Sequence, residues 1–190
     1  KRARQFWEYA KDSRLTAENP FAKVKAGAQT NSSRKHFVSQ ETIAAVLEAC
    51  PDAEWRLIVA MARYGGLRMP SELAGLTWDR VDWGNGWFTV NVSKKEHLDG
   101  QAQRRVPIFT ELRPYLEQAF DAAAEGSAYL APRCPDGKTN LRTGLERILR
   151  KAGVAQWQRI FQNLRASRET ELMKKYPAHV VHAWLGNSRE

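Results

Sequence analysis

The sequence has only two cysteines and four histidines among its 190 residues. Cys50 and Cys134 lie far apart and in no metal-binding spacing, which argues against a disulfide framework and fits a reducing cytoplasm. His179 and His182 could share a helical face, but two ligands do not make a zinc site. No apolar run approaches the ~18 residues of a membrane span, so we expect no membrane partner.

The common motifs of nucleotide binding and hydrolysis are also missing. Residues 137–139 are Gly-Lys-Thr, but a P-loop requires another glycine five positions earlier, where this sequence has Pro132. The sequence contains no G-x-G-x-x-G turn, no G-x-S-x-G elbow and no H-E-x-x-H pair. These absences argue against ATP-dependent, serine-hydrolase and zinc-peptidase chemistry.

Positive charge is in excess, and it is unevenly distributed. The formal net charge is +9. Residues 1–36 carry nine basic and three acidic side chains. Residues 37–136 carry ten basic and fourteen acidic side chains, and residues 137–190 carry eleven basic and four acidic ones. Two basic blocks flanking an acidic middle indicate a polyanionic partner, most often nucleic acid. Charge alone leaves open a solvated basic surface without a partner.

The first 36 residues predict the end of one domain followed by a linker. Apolar side chains recur at helical spacing up to residue 18, and Asn19 before Pro20 is disfavoured in a helix. Residues 26–36 are small, polar and basic, as in a linker. Because the N-terminus is charged and does not begin with methionine, we expect a piece of a longer protein.

From residue 37 onward the pattern predicts a mainly α domain with a small three-stranded antiparallel sheet, an α+β fold. Ser39 is expected to cap the first helix. The segments expected to be helical by periodicity are 40–50, 54–66, 111–124, 139–153, 159–176 and 178–186. A short helix is expected over residues 70–76, because Pro70 suits a first helical turn. The expected strands are 78–83, 86–92 and 104–109, with Gly84-Asn85-Gly86 as a hairpin signal between the first two.

Arg68 is expected at a junction of rigid elements, between a Gly-Gly helix end and the short helix predicted over residues 70–76. At such a junction a guanidinium can bind a phosphate by donating two hydrogen bonds. Taken alone, Arg68 is better explained by a surface ion pair with Glu72. Arg165 and Arg168 share a helical face with Gln162. For Arg168, a solvated charge is preferred over a contact with the arginine site or with a DNA backbone.

Several of these features, in this order, resemble the tyrosine recombinase, or phage integrase, family. The segments "YGGLR…SELAGLTWDRVDW", "FQNLRASRETEL" and "HAWLGNS" are similar to its three boxes, and lysines follow the second strand in a long polar loop. The resemblance implies the catalytic-domain fold of DNA breaking-rejoining enzymes. It makes residues 1–25 the end of a core-binding domain, residues 26–36 a linker and residues 37–190 a catalytic domain.

The resemblance also implies which residues act on DNA. Arg68 and Arg165 would stabilise charge on the phosphate under attack, so that neither a metal nor another cofactor is needed. Lys94, with Lys95 as second choice, would protonate the leaving 5′ oxygen. Gln162 stands where the family usually has histidine.

Two further positions depart from the family pattern. Asn187 stands where the family has histidine or tryptophan. Like Gln162, it can donate a hydrogen bond but cannot transfer a proton. Glu72 comes one residue later than the family's acidic residue, which leaves its role open. The nucleophilic tyrosine is expected beyond Glu190, and Tyr176, which precedes the third box, is not assigned that role.

Two hypotheses therefore stand. The first is a fragment of an active recombinase from a prokaryotic mobile element or prophage, acting in the cytoplasm as a tetramer on DNA. This fragment would bind DNA but, without the tyrosine, would not cleave it. The second is a non-catalytic DNA-binding relative with a regulatory or architectural role. Both predict binding to double-stranded DNA with a steep salt dependence, through the basic N-terminal block and the basic helix of residues 140–153.

Overall fold

The computed structural model describes residues 2–25, 34–92 and 103–187. The chain divides into two units, Lys1–Ser33 and Arg34–Glu190. Most of the linker predicted over residues 26–36 lies outside the described residues. No helix in the described ranges is long and apolar enough to cross a membrane.

The first unit consists of helix α1 (Arg2–Asp12) followed by turns. Asn19 connects the two parts, because its side-chain amide donates to the Arg4 carbonyl at 3.0 Å and to the Glu8 carboxylate at 2.7 Å. The predicted helix therefore ends earlier than residue 18, and the turn before Pro20 packs back onto it.

The second unit contains helices at six of the predicted places. They are α2 (Gln40–Ala49), α3 (Ala53–Arg63), α4 (Arg113–Asp121), α5 (Arg142–Lys151), α6 (Ile160–Met173) and α7 (Ala178–Leu185). Ser39 caps α2 as predicted, since its side chain accepts from the Thr42 N–H. Apolar side chains spaced at i, i+3 and i+4 form the buried face of each long helix, which is why periodicity located them.

The short helix predicted over residues 70–76 is wrong. This segment is a series of turns with two α-type hydrogen bonds, from Glu72 N to Arg68 O at 2.8 Å and from Ala74 N to Pro70 O at 2.9 Å. Gly75 then takes a φ of +68°, which ends the segment after a single turn. One turn cannot recover the cost of helix nucleation, so the segment stays a turn held by its neighbours.

The predicted three-stranded antiparallel sheet is confirmed, in the order β1 (Val81–Asp82), β2 (Trp87–Asn91), β3 (Gln103–Pro107). The first strand is shorter than predicted, because Trp78–Arg80 forms a 3₁₀ turn. Phe88 pairs with Val81 on one side and with Val106 on the other, so the inward face of the sheet is apolar there.

The core is centred on α3, which is buried along almost its whole length and contacts α2, α4 and α6. Strand β3 contacts α7, and α7 contacts α6. As a result, the end of α3, the middle of α6, the end of α7 and strand β3 meet at one place. The three sequence boxes, far apart in the chain, are brought together there.

Candidate active site

Two arginines from distant segments share one side-chain acceptor. The Oδ1 atom of Asn187 accepts a hydrogen bond from Arg165 Nη2 at 2.8 Å and another from Arg68 Nη2 at 3.3 Å. Arg68 follows α3, Arg165 lies on α6 and Asn187 follows α7. The predicted site residues Arg68, Arg165 and Asn187 are therefore in contact.

Glu72 faces three guanidinium groups. Its Oε1 accepts from Arg68 Nη1 at 2.7 Å, and its Oε2 accepts from Arg104 Nη2 at 2.6 Å. The Arg165 Nη1 atom lies 3.6 Å from the same Oε2. The Glu72 side chain is only 1% exposed, so these charge contacts are little screened by water. Glu72 thus orients Arg68, a role that the position of Glu72 in the sequence had left open.

Arg104 is a member of this cluster that sequence reasoning missed. It lies on β3 at an inward-facing position, and its Nη1 donates to the Trp184 carbonyl near the end of α7. Burial lowers the pKa of Arg104, although the nearby Glu72 carboxylate acts in the opposite direction. The signal in the sequence was the alternation along the strand, which places Arg104 on the same face as Val106.

Arg165 is held by backbone carbonyls on two sides. Its Nη1 donates to Gly66 O at 2.7 Å and its Nη2 to Leu185 O at 2.5 Å. Burial, together with the positive charge of Arg68, lowers the pKa of Arg165 to about 10. The group therefore remains charged at neutral pH. Because both of its terminal nitrogens are engaged, the guanidinium has a fixed orientation before any ligand binds.

Several donors of the arginine pair have no partner in the part of the chain that the structure describes. Among the described residues, the Nε of Arg68, one hydrogen of its Nη1 and the Nε of Arg165 have no acceptor. The two side chains line a cleft of about 270 Å³. The Arg68 side chain is 30% exposed and that of Arg165 10%. Fixed guanidiniums with spare donors at one cleft are suited to bind a tetrahedral oxyanion such as a phosphate.

The remaining predicted site residues differ in their placement. Gln162 is exposed and lines the same cleft as Arg68 and Arg165. Its side chain makes no hydrogen bond to any residue that the structure describes. Lys94 and Lys95 lie outside the described residues. Within the described ranges, no group of three histidine, cysteine, aspartate or glutamate side chains could hold a metal ion.

Arg168 is not the solvated charge that the sequence favoured. Its side chain is 4% exposed and donates to both carboxylate oxygens of Glu111, at 3.0 and 3.2 Å, and to Tyr64 O at 3.0 Å. One turn further along α6, both carboxylate oxygens of Glu171 accept hydrogen bonds from Arg63 on α3, at 2.7 and 2.6 Å. These pairs fix α6 against α3 and the segment before α4, and so they fix the position of Arg165 on α6.

Three tyrosines of the second unit pack against other aromatic side chains. Tyr64 is buried, which raises its pKa to about 12, and it stacks on Tyr115. Tyr176 packs edge-to-face on Trp184. Among the described residues, no tyrosine hydroxyl is hydrogen-bonded to Arg68 or Arg165.

The chain is similar in sequence pattern and in structure to a group of DNA-processing proteins. The sequence model of the phage integrase family matches residues 36–189. No curated protein sequence is significantly similar to the chain.

Three solved structures illustrate the likeness in fold. XerA recombinase is 20% identical, with a TM-score of 0.66 over 81% of this chain and 57% of that one. A lambda integrase dimer comprising residues 75–356 of that protein, bound to a COC′ core site, is 15% identical, with a TM-score of 0.71 over 98% of this chain and 69% of that one. The Tn1549 transposon integrase (residues 82–397 of that protein, with one tyrosine replaced by phenylalanine) in complex with transposon right end DNA is 15% identical, with a TM-score of 0.77 over 98% of this chain and 69% of that one. The chain thus spans between 57% and 69% of the lengths of these three solved chains.

Proposed function

Because the chain belongs to the phage integrase family of tyrosine recombinases, we propose that it is part of a site-specific recombinase. The whole protein would break and rejoin DNA strands through a 3′-phosphotyrosyl intermediate. The observation that carries this proposal is the arginine pair, Arg68 and Arg165, held by Asn187 and Glu72 at the edge of one cleft.

The proposed chemistry follows from the donors that remain available. In-line attack on a phosphodiester builds negative charge on the two non-bridging oxygens. The spare N–H groups of Arg68 and Arg165 would donate to those oxygens, and Glu72 keeps the guanidiniums from reorienting during the reaction. The pair supplies the positive charge that metal ions supply in other phosphoryl-transfer enzymes, so we propose no cofactor.

The proton and the nucleophile come from residues that we assign by proposal. Lys94, or Lys95 as the alternative, would protonate the leaving 5′ oxygen. Gln162, on the cleft edge, would donate a hydrogen bond to the phosphate. The nucleophilic tyrosine would belong to the longer protein beyond Glu190, so that this chain by itself binds DNA without cutting it.

The proposed partner is double-stranded DNA carrying a recombination site. A lambda integrase structure of the same fold is a tetramer bound to a Holliday junction, with a TM-score of 0.71 to this chain. We propose that the present protein likewise self-associates on DNA. A recombinase of this kind would act on chromosomal or mobile DNA in the cytoplasm of a prokaryote.

A second candidate function is DNA binding without catalysis, in a regulatory or architectural role. The observation that favours it is the pair of amides at positions usually occupied by proton-carrying side chains. Gln162 and Asn187 can form hydrogen bonds to a phosphate or to the arginines, but neither can transfer a proton at neutral pH.

A covalent-trapping experiment separates the two candidates. The extended gene product would be incubated with its recombination site carrying a nick that prevents religation, and adducts would be resolved on a denaturing gel. We expect an adduct whose formation slows about a hundredfold or more in Arg165→Ala, the usual effect of removing one transition-state donor.

Arg113→Ala is the matched control, because Arg113 is an exposed arginine on α4 that belongs to no part of the site. It should form the adduct at the wild-type rate. DNA binding with no adduct under any condition would reject the recombinase and favour the non-catalytic relative.

A further inference from the structure

A side-chain hydrogen bond joins Asn187 to Glu169, which lines the same cleft as Arg68 and Arg165. Asn187 Nδ2 donates to Glu169 Oε1 at 2.7 Å, while Asn187 Oδ1 accepts from both arginines. Glu169 lies four residues after Arg165 on α6, so the two side chains leave the same face of the helix. Neither the periodicity of the helix nor the box pattern drew attention to Glu169.

The chemistry of the three partners permits only one orientation of the carboxamide. A guanidinium offers only donors and an ionised carboxylate only acceptors. With the amide rotated by half a turn, its NH₂ would face two guanidiniums and its oxygen would face the Glu169 carboxylate. Every one of these contacts would be repulsive. Glu169 therefore reinforces the orientation that the two arginines also favour, with the oxygen of Asn187 pointing toward Arg68 and Arg165.

The shared oxygen also counteracts a repulsion between the two arginines. Arg68 and Arg165 carry like charges close enough for the charge of Arg68 to disfavour the protonated form of Arg165. An acceptor bonded to both guanidiniums offsets that repulsion and holds them at a fixed separation. The donors that the pair keeps for a ligand are other atoms, namely the two Nε groups and one hydrogen of Arg68 Nη1.

We propose that Glu169 is a positioning residue that acts through Asn187. It holds the carboxamide oxygen as a shared acceptor between Arg68 and Arg165, and thereby sets the spacing of the pair for a DNA phosphate. This inference rests on the proposed function of the pair as a phosphate clamp. It gives Asn187 a role toward the arginines, where the resemblance implied a donor to the phosphate.

The test compares two variants that remove the same charge. Glu169→Gln keeps an oxygen that can accept from Asn187, whereas Glu169→Leu has the same bulk and no acceptor. The affinity of the 190-residue chain for a fluorescein-labelled duplex would be measured by anisotropy at fixed salt. We expect Glu169→Gln to bind about five- to tenfold more tightly than Glu169→Leu, the usual worth of one hydrogen bond to a polar partner.

A double-mutant cycle shows whether Glu169 acts through Asn187. In an Asn187→Ala background the difference between Glu169→Gln and Glu169→Leu should disappear, because the intermediate partner is gone. Asn187→Ala alone should weaken binding by a similar factor. Melting temperatures of all variants separate a change in the clamp from a loss of folded protein.

Three results would overturn the inference. They are equal or tighter binding by Glu169→Leu, an unchanged difference in the Asn187→Ala background, and unchanged or tighter binding by Asn187→Ala. Arg68→Ala keeps the proposed function separate from the inference. If Arg68→Ala binds as tightly as wild type, the phosphate clamp itself is rejected. If it binds more weakly while the Glu169 variants are indistinguishable, only the role of Glu169 is rejected.

Discussion

Glu72 is the residue on which the arginine cluster depends most directly. It is buried and accepts from Arg68 and Arg104, with Arg165 within ion-pair distance. Three positive groups close together in a poorly hydrated place repel one another strongly, and a single carboxylate compensates them. Removing that carboxylate would leave uncompensated buried charge.

We therefore expect Glu72→Gln to destabilise the fold by about 3 kcal/mol or more, the usual cost of breaking a buried ion pair from one side. Glutamine keeps the size of the glutamate side chain and one acceptor oxygen, so the lost stability measures the effect of the negative charge. Urea unfolding followed by circular dichroism measures the free energy of unfolding. Glu117→Gln removes an exposed i,i+4 partner of Arg113 and should change stability by less than about 0.5 kcal/mol. Equal effects of the two substitutions would contradict this account of Glu72.

At the scale of elements, the close approach of α7 to the end of α3 forms the back of the site. Gly66, just after α3, has a φ of +64°, and a Cβ there would lie 2.3 Å from Leu185 Cδ2. Leu185 is buried, so its side chain has no room to move aside. The carbonyls of both residues accept from Arg165, which links the spacing of these two elements to the position of that arginine.

Gly66→Ala and Gly75→Ala form a matched pair that isolates this packing. Both glycines have positive φ, +64° and +68°, but a Cβ on Gly75 meets nothing within 4 Å. The backbone strain is thus common to both, and only Gly66→Ala overpacks α7. We expect Gly66→Ala to lose about 1–3 kcal/mol more stability than Gly75→Ala, and to bind duplex DNA more weakly. Chemical unfolding measures the difference in stability, and fluorescence anisotropy measures the affinity for DNA. Equal stabilities of Gly66→Ala and Gly75→Ala would show that α7 can shift without cost.

At the scale of the whole molecule, the excess positive charge includes a concentrated exposed face on α5. Leu145, Ile148 and Leu149 form its buried side. The exposed basic residues of this helix are Arg142, Arg147, Arg150 and Lys151. Such a division between an apolar and a basic face suits a helix that packs on its own domain and contacts a polyanion on the other side.

If α5 contacts the DNA backbone, the double variant Arg147→Gln/Arg150→Gln should reduce the slope of log affinity against log salt by about 1–2, since each phosphate contact contributes about 0.9. Anisotropy titrations over a range of salt concentrations measure the slope. Arg113→Gln, an exposed arginine on α4, should leave it unchanged. A slope unaffected in the double variant would remove α5 from the DNA-binding surface.

The sequence by itself determined the order and type of most elements. Helix periodicity, the Ser39 cap and the Gly84–Gly86 hairpin signal depend on neighbours a few residues apart, and all were confirmed. The order of the three boxes also identified the family correctly. The helix predicted from Pro70 over residues 70–76 is wrong, because a segment too short to form a helix by itself takes its shape from surrounding contacts.

Only the tertiary structure decided which charged residues are buried and which partners they have. The strand alternation places Arg104 on the inward face but does not name its partner, and nothing in the helix pattern marks Arg168 as buried, yet each is buried against a carboxylate from a distant segment. Glu72 is central, and Asn187 contacts Glu169, because α3, α6, α7 and β3 converge. Pairing is set by residues far apart in the chain, so no local pattern carries that information. The sequence determined which groups are suited to bind a phosphate, and the packing of distant segments decided which of their atoms are fixed and which donors have no acceptor among the described residues.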